Sequence, residues 1–132
     1  MAANIHKTGL SFLLTFFILS SAGCVPLLVG AAAGVGGVTY VKGALEKNFD
    51  HSVKEVHRAT LKGLKDLKMF VREEKNDVHS TFIKAEFDDG KRVKIHINAL
   101  TERSSKITIR IGVFGDETKS QMLINAIQKR LG

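Results

Sequence analysis

A chain of 132 residues with one Cys, one Pro and no Trp is long enough for one small domain. Its lone Cys excludes a disulfide scaffold and any Zn site built on paired Cys. A hydrophobic content of 44% with 25% charged residues excludes wholesale disorder, and 20 Lys+Arg against 13 Asp+Glu give a formal charge of +7. That charge is unevenly placed: no charged side chain occurs from Thr8 through Val41, and Lys7 is the one basic residue ahead of that stretch.

The amino terminus has three parts. Residues 1–9 carry Lys7 and no acid, Leu10 to Leu19 is a solid apolar run, and Ser20-Ser21-Ala22-Gly23 supplies small residues. This is the layout of a secretory signal, because a signal peptidase accepts an extended backbone with little side chain near the cut. Cys24 follows directly. The run Ser21-Ala22-Gly23-Cys24 resembles the lipobox of bacterial lipoproteins, with Ser21 where Leu is commonest. That resemblance implies lipidation of the Cys24 sulfur, cleavage before it and a chain held at a membrane by acyl groups. The uncharged stretch 8–41 also fits an uncleaved single-pass anchor, although Pro26 and the glycines between Gly23 and Gly37 interrupt it.

Residues 24–45 read as the lipid-bearing Cys and a Gly/Ala-rich linker. Gly30 and Gly34 have the small-xxx-small spacing that lets helix backbones approach in lipid, so they are candidate membrane or homo-oligomer contacts. The same glycines equally suit a flexible tether, and Val38 to Leu45 is β-prone enough to form a first strand.

Residues 46–132 read as a small basic α+β domain. Val53, Val56, Thr60, Leu64 and Leu67 recur every three or four residues, predicting a helix whose start Ser52 and Glu55 close as a capping box. Lys54, Arg58, Lys62 and Lys65 lie on another face, a cationic stripe that suits anionic headgroups or, the preferred reading, a solvated helix surface. Met69 to Lys75 is a strand. Thr81, Ile83, Ala85 and Phe87 form one apolar face, Asp88-Asp89-Gly90-Lys91 a hairpin with a two-residue turn, and Val93, Ile95, Ile97 and Ala99 the returning strand. Ile107, Ile109, Ile111 and Val113 continue the alternation. Asp116 caps a final helix with an apolar face of Met122, Leu123, Ile124, Ile127 and Leu131. The expected fold is two helices packed on one face of a four- to five-stranded antiparallel sheet.

The lipobox, the Gly/Ala stretch, Tyr40, the helix from Asp50, the Asp-Gly hairpin and Ile109-Arg110-Ile111-Gly112 with Gly115-Asp116 together resemble an uncharacterised family of small bacterial lipoproteins. The resemblance implies an architecture and a location, the periplasmic face of the outer membrane, and brings no catalytic residues.

No motif carries chemistry. His51 and His57 are six apart on one helix and so face different ways, His79 and His96 read as surface histidines, and Asp88-Asp89 is explained by its turn. No catalytic residue, metal site or cofactor is expected. The outward side of the sheet is more suggestive: Lys94, His96, Lys106 and Arg110, with Asn98 and Thr108, would form a polar, mostly cationic patch. Lipid headgroups, a cell-wall polymer or an acidic protein surface are its candidate partners. Nucleic acid is not, because an exported chain does not meet it and no aromatic platform interleaves the cations. The expectation is a non-enzymatic, membrane-anchored envelope protein that binds or scaffolds. The alternatives are an envelope enzyme acting on a cell-wall or lipid component, a single-pass anchored protein, and an oligomer built through Gly30 and Gly34.

Overall fold

The computed structural model describes residues 37–132; the signal region 1–23, Cys24, Gly30 and Gly34 lie outside the described residues. In chain order the elements are β1 (Val38–Val41), β2 (Ala44–Phe49), α1 (Val53–Asp66), β3 (Phe70–Asn76), β4 (Ser80–Glu86), β5 (Arg92–Ala99), β6 (Ser105–Ile111) and α2 (Glu117–Leu131). The strands form one antiparallel sheet in the order β1-β2-β6-β5-β4-β3. Helix α1 carries the chain from β2 to the far edge, and the β3–β6 meander returns so that β6 pairs with β2. Both helices pack on the same sheet face and against each other. The α+β class and the helix pair are as expected, and the sheet has six strands rather than four or five.

The higher count comes from residues 38–49, which form two strands where the sequence of Val38 to Leu45 suggests a linker or a single first strand. Lys42 (φ 50) and Gly43 (φ 81) are both left-handed, the requirement of a type I′ turn, and they join β1 to β2 as a tight hairpin. The folded region therefore includes residues from Val38 onward, ahead of position 46. On β2 the inward positions are Leu45, Lys47 and Phe49, all buried, so a Lys interrupts the apolar alternation that would mark a strand.

Local signals account for the helices. Ser52 Oγ accepts from Glu55 N–H (3.3 Å) while Glu55 Oε2 accepts from Ser52 N–H (2.8 Å), completing the capping box. Helix α1 ends in a Schellman arrangement: Lys68 N–H donates to Lys65 O and Met69 N–H to Leu64 O. Lys68 takes the left-handed position (φ 55) where Gly is usual. Gly63 brings α1 onto α2, since a Cβ there would lie 3.2 Å from both the Ile127 amide and its Cγ1. Asp116 caps α2 by accepting from Lys119 N–H at 3.0 Å.

The core is one aliphatic layer between helices and sheet. Ile83, Ile95, Ile97, Ile107, Ile109 and Ile111 from the sheet meet Leu64, Leu123, Ile124 and Ile127 from the helices, all fully buried. Three local expectations are corrected. Val113 is 79% exposed, because Gly112 (φ 70) turns the chain out of β6 directly after Ile111. Met122 is 44% exposed, because the buried stripe of α2 runs through Ser120, Leu123, Ile124 and Ile127 and leaves it to one side. The β4–β5 hairpin has a three-residue loop: Phe87 and Lys91 still pair (2.9 Å), Gly90 N–H donates to Phe87 O (3.0 Å), and only Gly90 is left-handed. That is a type I turn closed by a glycine bulge, which needs one positive φ instead of two.

Candidate functional site

Period-two alternation leaves the second sheet face free of helices, and the register decides which of its side chains meet. Lys94 on β5 lies directly opposite Arg110 on β6, His96 opposite Thr108, and Asn98 opposite Lys106. All four residues expected in the cationic patch, Lys94, His96, Lys106 and Arg110, therefore share this face, on two neighbouring strands. On the other side of β5, Lys94 faces Lys84 and His96 faces Phe82.

Their electrostatic situations differ. Lys106 lies 3.4 Å from Glu46 and is partly compensated. Lys84 and Lys75 share Glu73, whose carboxyl is lowered to about 2 by the hydrogen bonds from Lys84 and then Lys75. Among the described residues Arg110 is bound by carbonyls: one Nη donates to Lys42 O (3.2 Å) and the other to Val113 O (2.9 Å). These bonds fix the guanidinium without neutralising it. Among the described residues, neither Lys94 nor Arg92 pairs with a carboxylate.

His96 is the patch member whose role changes. Its ring centroid is 4.5 Å from that of Phe82. Partial burial, and secondarily the charge of Lys94, holds its pKa below the ordinary 6.5. Both effects favour the neutral ring, so His96 adds a polar, stacking surface to the patch.

The structure adds residues that local sequence reading missed. Gly112 N–H donates to Arg92 O (2.8 Å), which brings the start of β5 against the end of β6. The result is an open groove of about 530 Å³ lined by Gly90, Lys91, Arg92, Lys94, Arg110, Gly112 and Val113. Among the described residues no carboxylate lines it. Lys91 is turned toward Asp116 (3.1 Å), and Asp89 is engaged by Lys119 (2.6 Å). Local pattern could not find this groove, because it joins positions some 20 residues apart.

The histidines are dispersed. His57 Nε2 lies 2.8 Å from Glu74 Oε1, and His79 is exposed beside the β3–β4 turn. Among the described residues, no group of three His, Cys, Asp or Glu side chains could hold a metal ion. Within the same residues no helix is long and apolar enough to cross a membrane. The groove and sheet face thus offer cations to an oxyanion; the groove's own lining holds no carboxylate or thiol among the described residues, while Glu46, Glu73 and Glu86 stand elsewhere on the sheet. No curated protein matches the chain. Residues 7–130 match the model of a family described as a protein of unknown function (DUF3568), and over that span the chain belongs to this family.

Proposed function

We propose that this is a lipid-anchored protein of the bacterial cell envelope, non-enzymatic, whose open sheet face binds an anionic partner. The anchor is Cys24 by its lipobox-like setting, and the periplasmic face of the outer membrane is the location that setting suggests. One observation carries the binding reading: Lys94 and Arg110 stand opposite each other, with Arg92 beside them, and no carboxylate lies in their groove. Like charges directly across a strand pair are destabilising, so their placement side by side is a cost to the fold that an anionic partner would offset.

A polyanion tests this. The full chain, extracted from membranes, should bind dextran sulfate and release it as salt rises and screens the contact. Arg92→Gln with Lys94→Gln should release it at clearly lower salt. Lys54→Gln with Lys62→Gln on α1 changes the net charge equally and should leave the release point nearly unchanged. Equal shifts for both pairs would mean that the chain binds through overall charge alone, and the assignment to the sheet face would fail.

A further inference from the structure

The Gly112 end of the sheet carries a feature that anion binding alone does not use. The loop from Gly112 to Gly115 has its backbone held firmly: Arg110 bonds the Val113 carbonyl, and the Phe114 carbonyl lies only 2.6 Å from where a Cβ on Gly43 would sit. Its two large side chains are nevertheless in water. Val113 is 79% exposed and Phe114 91%, the highest exposure of any large hydrophobic side chain among the described residues. Val113 lines the same groove as Arg92, Lys94 and Arg110. A braced loop thus presents an aromatic and an aliphatic side chain beside three cations, none of which forms an ion pair among the described residues; Glu86, opposite Arg92, is engaged by Arg72.

We propose that this end of the sheet lies against an anionic bilayer surface, with Phe114 and Val113 entering the boundary between headgroups and acyl chains while Arg92, Lys94 and Arg110 meet lipid phosphates. The proposal rests on the reading of the sheet face as anion-binding and names its partner. Lipid satisfies both halves of the site: aromatic rings are favoured at the headgroup level, and Lys and Arg near the surface are drawn to anionic lipid. A free small anion would leave Phe114 unused. A second copy meeting through the same patch would set these cations against themselves, since a two-fold interface is self-complementary. Two projecting side chains are also a small basis for a stable protein interface, which buries about 800 Å² on each partner, whereas a bilayer closes around a wedge of any size.

The chain has no Trp, so Phe114→Trp introduces a sole indole at a highly exposed position. The full chain carrying this substitution is reconstituted into vesicles of phosphatidylglycerol mixed with phosphatidylcholine, and into phosphatidylcholine alone. The expected result is a blue-shifted indole emission in the anionic vesicles, a water-like emission in the neutral ones, and loss of the shift when Arg92→Gln and Lys94→Gln are added. Water-like emission in both vesicles overturns the proposal. So does an equal shift in both, a shift that survives loss of the two cations, or one that follows protein density instead of lipid composition, which would point to a second copy. If the indole stays in water while dextran sulfate still binds through Arg92 and Lys94, the bilayer is the wrong partner and the anion-binding reading stands. If both are lost, both readings fall.

Discussion

Gly115 joins the β1–β2 turn to the loop that walls the groove, and Gly115→Ala measures how tightly. Gly115 has φ 85, and a Cβ there would run into the Gly43 carbonyl and the Tyr40 hydroxyl. The left-handed backbone costs an L-residue about 1–2 kcal/mol. Displacing the hairpin to admit the methyl adds an overpacking cost of about 1–3 kcal/mol. Gly112 supplies the control, since it is also left-handed (φ 70) but a Cβ there would meet nothing within 4 Å. Gly112→Ala should therefore lose only the backbone part, about 1–2 kcal/mol. For a domain of this size 1 kcal/mol moves Tm by about 4–8 °C, so Gly115→Ala should melt roughly 10–40 °C below the parent and Gly112→Ala roughly 5–15 °C below it. Thermal unfolding of the full chain in detergent, followed by far-UV circular dichroism, reads both. Equal losses for the two variants would refute the close approach of the hairpin to the loop.

Three further outcomes follow from local geometry. Lys68→Gly relieves a left-handed Lys at the end of α1 and should raise stability by about 0.5–1 kcal/mol in urea unfolding; a decrease would contradict the Schellman assignment. Ser52→Ala removes half of the capping box and should lower stability by about 1 kcal/mol, while an unchanged urea midpoint would show that the cap contributes nothing. His96 has a pKa depressed below 6.5 by burial and Lys94, so the unfolded chain takes up its proton first as pH falls. Its contribution is thus present above about 6.5 and is lost as pH falls through the depressed folded value. An NMR titration should place the His96 midpoint below 6.5, and a midpoint at or above it would remove the stacked, desolvated environment from the account.

Much of the fold was legible because its signals are local. The alternations through Thr81–Ala85, Val93–Ile97 and Ile107–Ile111 each describe one buried face, and the Ser52–Glu55 box sits within a single helical turn. Lys47 hid β2, because a buried cation at an inward position breaks the period-two pattern that reveals a strand. Val113 was misplaced because the alternation continues by one residue after Gly112 has already turned the backbone away. The patch of Lys94, His96, Lys106 and Arg110 could be read from outward positions on adjacent strands. The groove at its end could not, because it depends on which ends of β5 and β6 coincide and on Arg110 reaching carbonyls at Lys42 and Val113. The state of His96 was hidden for the same reason, since its stacking on Phe82 follows from the β4–β5 register.

The proposed lipid attachment at Cys24 would set where the basic face of this domain works, and the intact mass of the membrane-extracted protein reads it directly. The account predicts a species that begins at Cys24, carries added acyl mass and is absent from a Cys24→Ser variant. A full-length, unmodified mass in both proteins would contradict it and leave an uncleaved anchor in its place.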